Sequence, residues 1–305
     1  MSAELNAFTV AGYRNNSDFG KKVLCREIRT TDAEGVISLL TRGFAPVRNR
    51  SFWINTWRLL EEHPTPTGLP RFGYMLESNN VPVGIILLIS TQVPGETGPI
   101  VKSNVSSWYV EPEFRAYATM LISCAFKRKD VTYFNITPAP HTLKTLQPLG
   151  FKQYSKGRMV TLPALSPIRS KCRIEAITPH SASASGVSAQ EFELLRTHAG
   201  YGCISIVCHA EGEEYPFVFA KRRRWGFLPF AFLVYGRSNE TFARFAGNLG
   251  RYLARRGIPI VIVDANGPIP TLIGTYMDVN PKYYRGPNIP KIGDLSYSER
   301  AMFGV

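Results

Sequence analysis

Asn104-Val105-Ser106-Ser107-Trp108-Tyr109-Val110, then Glu111-Pro112-Glu113-Phe114-Arg115-Ala116-Tyr117-Ala118-Thr119, then the apolar run Met120–Phe126, form the stretch that decides the fold. Residues 104–110 are rich in Val, Trp and Tyr, which suit a pleated, half-buried strand. The run from Met120 has helical character, and Val131–Thr137 again reads as a strand. Strand, tight turn, helix and strand make a βαβ unit, whose two strands are parallel neighbours joined by a right-handed crossover. The first amides of the helix lack intrahelical partners and lie at the positive end of its dipole, a setting that suits a pyrophosphate. Arg115 adds a fixed positive charge there, while Ala116 and Ala118 stand where glycines would allow the closest approach. An ordinary helix start with a surface arginine fits the same residues, and this segment alone leaves both open.

Upstream, Cys25–Ile28 reads as a strand, and Thr30-Thr31-Asp32 caps a helix with Val36, Ile37, Leu39 and Leu40 on its apolar face. A second helix, Phe52–Glu62, is stopped by His63-Pro64-Thr65-Pro66, because proline cannot continue the hydrogen-bond ladder. Phe72–Glu77 and Pro82–Ser90 are strand-like runs joined by the polar turn Ser78-Asn79-Asn80, an antiparallel pair.

Downstream the order repeats. Leu162–Ser188, with Pro163, Ser166-Pro167, Pro179 and Ser181–Gly186, reads as a linker carrying a short strand at Cys172–Ile177. A helix at Glu191–Thr197 precedes strands Cys203–His209, Pro216–Ala220 and Phe227–Tyr235, helix Glu240–Arg256 and strand Ile258–Val263. The last strand–helix–strand echoes residues 104–137, so the chain reads as a tandem pair of related folds. At the second strand-to-helix turn Asn239 reads as the helix cap, with Ser238 the alternative. Asp278–Gly304, rich in Pro, Tyr and Gly, is expected to be an extended tail that packs back on the body and shapes an acceptor cleft.

The 305 residues hold 36 Lys+Arg against 23 Asp+Glu, a formal charge of +13, which excludes an acidic, self-repelling chain. With 44% hydrophobic and 19% charged residues, disorder throughout is excluded as well. The basic balance points to an anionic partner, and nucleic acid, an acidic membrane surface and a phosphate-bearing cofactor satisfy it equally. Lys221-Arg222-Arg223-Arg224 reads either as a phosphate grip or as a solvated hairpin tip. Cys25, Cys124, Cys172, Cys203 and Cys208 show no CxxC spacing, so neither zinc nor a disulfide framework is expected and the compartment reads as reducing and cytoplasmic. Met1–Lys22 reads as a loose arm without a signal-peptide stretch, and runs such as Val83–Ile89 and Ile258–Val263 are far shorter than a membrane span.

The order of elements and the residues Val110-Glu111-Pro112 followed by Arg115-Ala116-Tyr117-Ala118-Thr119-Met120 resemble the GNAT acyltransferase superfamily, whose strand ends in Val-x-Pro before Gln/Arg-x-x-Gly-x-Gly/Ala. Thr142–Leu149 followed by Gly150-Phe151 looks like a second family segment, and the resemblance covers about residues 25–160. It implies an α/β (α+β) fold, a mixed twisted sheet flanked by helices, here in two tandem copies. The divisions are an N-terminal arm (1–24), a GNAT-like acyl-CoA-binding domain (25–165) and a second GNAT-like domain with the tail (166–305). It further implies acyl-CoA as co-substrate. The pantetheine lies between Trp108, Tyr109 and Val110 and the next parallel strand with Asn135, and the pyrophosphate rests on Arg115, Ala116, Tyr117, Ala118, Thr119 and Met120. Both glycine positions are replaced: a methyl group keeps the N–H donor but narrows the loop and disfavours positive φ. Leu146 stands where the family often has a tyrosine acid.

Catalytic candidates are few. His141, after Pro138-Ala139-Pro140, is the candidate general base, set against a helix-start histidine without a role. Cys208 and His209 are adjacent on a strand and so face opposite ways, which excludes a Cys–His pair. Glu111, Glu113, Asp264, Tyr283 and Tyr284 are further acid/base candidates. The expected activity is direct-attack transfer of an acyl group from acyl-CoA to an amine or hydroxyl acceptor. The alternative is an inactive module that holds an acyl-CoA, another anionic ligand or a partner protein. A nucleic-acid partner is not favoured, since aromatic interleaving of the RRM type is lacking.

Overall fold

A computed structural model describes residues 22–95, 98–168, 170–224 and 226–304, with backbone alone for His141 and Arg224. The arm read over 1–24 therefore lies outside the described residues up to position 21. The first strand, β1 (Val23–Glu27), leads through the 3₁₀ turn Thr30–Asp32 into α1 (Ala33–Gly43) and α2 (Arg50–Glu62). Asn49 caps α2 by accepting from the Phe52 amide, and the helix ends at His63 before Pro64. The hairpin β2 (Gly73–Ser78) and β3 (Val81–Val93) turns through Asn79 and Asn80, both with positive φ. This is the left-handed pair that a two-residue hairpin demands and asparagine tolerates.

Then follow β4 (Ile100–Val110), α3 (Ala118–Ala125), β5 (Thr132–Asn135), α4 (Leu143–Leu146), β6 (Lys152–Ser155) and β7 (Gly157–Thr161). The second half comprises β8 (Arg173–Ile177), α5 (Ala189–Gly200), β9 (Ile204–Ala210), β10 (Glu213–Arg224) and β11 (Leu228–Gly236). It is completed by α6 (Asn239–Ala254), β12 (Ile260–Ala265), β13 (Gly274–Met277), β14 (Lys282–Arg285) and α7 (Glu299–Met302).

The strands form two seven-stranded sheets of matching order, β1-β2-β3-β4-β5-β14-β6 and β8-β9-β10-β11-β12-β7-β13. In each, the fourth and fifth strands are the parallel pair and every other neighbour is antiparallel. The sixth position of each sheet is filled from the other half of the chain. A division at 165/166 thus leaves β7 with the first half and β14 with the second, each paired in the opposite sheet.

Helices α1 and α2 cover one face of the first sheet and α3 the other. Helix α6 covers the outer face of the second. A third apolar cluster is shared: Phe134, Tyr154 and Tyr284 of the first sheet, with Ile136 just past β5, pack with Val207, Val218, Phe232 and Val234 of the second and with α5. Among the described residues no helix is long and apolar enough to cross a membrane.

Several expectations are corrected by packing. Residues 162–168 are no free linker: the 3₁₀ turn Pro163–Leu165 lies on α6, where a Cβ on Gly250 would come within 2.1 Å of the Ala164 nitrogen. Ser238, not Asn239, caps α6 by accepting from the Thr241 amide, and Asn239 instead donates to the Asp264 carbonyl. Lys221–Arg224 is no hairpin tip but the paired end of β10, opposite Leu228–Ala231. Arg222 turns inward there and donates to the Arg300 carbonyl. The tail holds a sheet strand, β14, and the helical turn α7.

Candidate functional site

Strands β4 and β5 run side by side only through Lys102–Thr132, Ser103–Tyr133 and Asn104–Phe134. Beyond Asn104 they part, because β4 carries a bulge: its register on β3 shifts between Ile85 and Leu87, and Ser107 takes φ 49°. An extra residue on one strand bends it away from its neighbour. The opening is a wedge whose closed end is Asn104 and whose open end is Val110.

Asn104 is buried and closes the wedge with both ends of its amide. Its Nδ2 donates to the Phe134 carbonyl at 3.1 Å, and its Oδ1 accepts from the Glu299 amide at 2.8 Å. The Glu299 carboxylate then lies across the gap, accepting from the Ser106 hydroxyl on β4 and the Thr137 hydroxyl just past β5. Glu299 is 5% exposed. Burial pushes its carboxyl above the usual range, opposed by the two hydroxyl bonds and by the charges of Arg300 and Arg48.

The tail that brings Glu299 here is anchored throughout. Asp294 pairs with Lys102 at 2.8 Å, the Tyr297 amide donates to His198 Nε2 at 3.1 Å, and Ala301, Met302 and Phe303 are buried in apolar clusters. The second sheet has the same wedge, since β11 and β12 pair only from Phe230–Ile260 to Phe232–Ile262. There the tail itself takes the open strand edge, the Leu295 amide donating to the Val234 carbonyl at 2.8 Å.

At the open end of the first wedge, Val110 leads into a 3₁₀ turn, Pro112–Tyr117, and α3. The buried Phe114 ring anchors the turn. Arg115, Ala116, Thr119 and Met120 are exposed, and Tyr117 and Ala118 half-buried. The Arg115 side chain makes no hydrogen bond or ion pair within the described residues. The turn is wound: the Phe114 amide donates to the Glu111 carbonyl and the Ala118 amide to the Arg115 carbonyl. Ala118 sits at φ −57°, ψ −33°, a helical setting that costs alanine nothing. The Ala118 amide, expected to be free for a pyrophosphate, is therefore engaged, as is that of Phe114.

Of the residues expected along the pantetheine, Trp108 and Val110 pack on the α3 face, whereas Tyr109 points to the opposite face, toward Gly43 and Phe44 of the α1 end. Asn135 ends β5, its Oδ1 accepting from the Thr137 amide at 3.2 Å. His141 falls in the 3₁₀ turn Pro140–Thr142, and its side chain lies outside the described residues. Leu146 is buried. Glu111 is tied to Arg42 at 2.8 Å, Tyr284 is buried in the shared cluster, and Asp264 pairs with Lys282 at 2.6 Å. His209 bonds Glu175 while Cys208 faces the core, the opposition expected of strand neighbours. Sequence reading missed Asn104, Ser106, Thr137 and Glu299. The available signal was Ser298-Glu299-Arg300, a polar group set directly before the apolar Ala301-Met302-Phe303.

No protein-family profile matches the sequence, and no curated relative does. Solved structures do match. A conserved protein of unknown function from Enterococcus faecalis V583, described as a probable N-acyltransferase, superposes with TM-score 0.54 at 12% identity over 90% of this chain and 74% of its own. A putative acetyltransferase from Pyrococcus horikoshii gives TM-score 0.55 at 12% identity, over 95% and 97%. A GCN5-related N-acetyltransferase from Anabaena variabilis ATCC 29413 gives 0.55 at 11%, over 87% and 72%. At such identities the likeness is one of fold. The fold is that of the GCN5-related N-acetyltransferases, and its two seven-stranded sheets fit tandem halves.

Proposed function

We propose that the chain is an acyltransferase that moves an acyl group from acyl-CoA to an amine or hydroxyl acceptor by direct attack at the first wedge. The observation that carries this reading is the parting of parallel β4 and β5 beyond Asn104–Phe134, inside a sheet of acetyltransferase order. A pantetheine arm is itself an extended chain with amide groups, and an unpaired strand edge from Trp108 to Val110 offers it backbone partners. The exposed Arg115 supplies charge for the phosphates, and backbone amides near Val110 polarise the thioester carbonyl. The second wedge, its edge taken by Leu295, serves structure.

The wound turn at residues 112–118, with two amides engaged, favours a second reading: a module that holds acyl-CoA, another anionic ligand or a partner without chemistry. One experiment separates them. Acetyl-CoA is incubated with the full chain and a panel of primary amines, amino sugars and alcohols, and thiol release is followed. Acceptor-dependent release supports transfer; saturable acetyl-CoA binding without release supports the module.

A further inference from the structure

Between α2, the end of α5, β10 and the tail lies a cleft of about 290 Å³. It sits on the α2 side of the first sheet, whereas Arg115 precedes α3 on the opposite face. Leu59, Tyr201, Met302 and Phe303 give it apolar and aromatic walls. Its charged lining is Arg58, Lys221 and Arg222, without an Asp or Glu among the described residues. Arg58 is committed to Glu62 on its own helix at 2.7 Å. Lys221 and Arg222 have no carboxylate partner among the described residues.

Arg222 turns inward from β10, and two of its five N–H donors reach backbone carbonyls, those of Lys221 and Arg300. Its Nε is buried with no partner. Carbonyl oxygens satisfy hydrogen bonds but leave the full charge uncompensated, and a buried cation without a counter-ion is costly. Burial pushes the Arg222 pKa down to about 10, and the charges of Arg300 and Arg48 act in the same direction. The Cys203 thiol on the same wall is no counter-ion. Burial pushes it up to about 12, against the charges of Arg222 and Lys221, so it is neutral at pH 7.

We propose that this cleft binds a small organic phosphate monoester, its head on Arg222 and Lys221 and its carbon skeleton against Leu59 and Phe303. A phosphate monoester brings about −1.5 to −2 charge at pH 7 and three acceptor oxygens, which suits two unpaired cations better than a single carboxylate does. A guanidinium fork matches phosphate geometry, and the bare Nε leaves one prong of it open. The volume lies at the small end of the roughly 300–1,000 Å³ of ligand pockets, so the skeleton is a few carbons rather than a nucleotide. Once bound, the ligand ties α2 of the first half to β10 and the tail, and so stabilises the folded chain.

The test is calorimetry of the full chain at low salt with glycerol 3-phosphate, and with inorganic phosphate and glycerol for comparison. Glycerol 3-phosphate should bind one-to-one and raise the unfolding temperature. Inorganic phosphate should bind about fivefold or more weaker, having lost the skeleton contacts, and glycerol should give no heat. Arg222→Met and Lys221→Glu should each weaken glycerol 3-phosphate about tenfold or more, while Arg115→Glu leaves it unchanged. Lys221 is exposed, so Lys221→Glu carries the test even where Arg222→Met fails to fold. No heat with glycerol 3-phosphate, affinity unchanged by Lys221→Glu, or a loss in Arg115→Glu instead overturns the site. Inorganic phosphate binding as tightly as glycerol 3-phosphate overturns the organic ligand. Acetyl-CoA binding is untouched by any of these results, since the two sites lie on opposite faces of the first sheet.

Discussion

Replacing Lys282 by Met should destabilise the protein by about 3–5 kcal/mol, whereas replacing Lys282 by Met and Asp264 by Leu together should leave stability near that of the parent. Lys282 opens β14 in the first sheet and Asp264 lies on β12 in the second, so their 2.6 Å bond is a clasp between the sheets. Their side chains are only 3% and 5% exposed. At that distance and an effective dielectric near 20 the attraction is about 6 kcal/mol, and removing two charges from water costs a comparable amount, so the intact pair is close to neutral overall. Removing one partner forfeits the attraction and keeps half of the desolvation. Asp264 Oδ2 has no hydrogen-bond partner, so the single variant would leave the whole carboxylate bare. Arg300, which senses the Asp264 charge, draws the expected cost toward the lower end. Urea unfolding followed by tryptophan fluorescence measures both variants. A cost below about 1 kcal/mol for Lys282→Met, or a double variant as unstable as the single, would refute the reasoning.

Gly250→Ala should cost about 1–2 kcal/mol in the same assay, because the new methyl group collides with Pro163 and Ala164 and this outweighs a helix-propensity gain of up to about 1 kcal/mol. A stabilised variant would show that the 163–165 turn does not rest on α6. His198 is buried with Nδ1 donating to the Leu194 carbonyl and Nε2 accepting from the Tyr297 amide, and burial pushes its pKa down to about 4. The unfolded chain therefore binds the extra proton first as pH falls below about 6.5, so stability declines between there and about pH 4 by about 3 kcal/mol. His198→Gln should flatten that stretch of the pH–stability curve; an unchanged slope would contradict the assignment. Arg115→Glu should weaken acetyl-CoA binding about tenfold or more, read by calorimetry, without changing urea stability, since the Arg115 side chain is exposed and bonded to nothing described.

The architecture was legible in the sequence where hydrophobic patterning is strong and local. Val, Trp and Tyr at 105–110, the Pro64 stop after α2 and the Asn79-Asn80 turn each fix an element by their own chemistry. The repeat of strand, helix and strand at 228–265 identified the tandem arrangement. Pairing partners were not legible, because β7 and β14 are only five and four residues long, and nothing local says which sheet receives them. The basic run 221–224 misled for a related reason: charge density suggests a solvated tip, yet strand alternation turns Arg222 inward to the Arg300 carbonyl. At the candidate site, the wedge could be inferred from the βαβ unit and the resemblance. Its closed end could not, because Glu299 arrives from almost two hundred residues away along the chain, in a tail whose composition reads as irregular.

On the proposed reading, the opening between β4 and β5 binds acyl-CoA. Titration calorimetry of the full chain with acetyl-CoA at moderate salt, with Arg115→Glu as the paired sample, should show saturable one-to-one binding that Arg115→Glu weakens. No heat of binding, or affinity indifferent to Arg115, would contradict that reading.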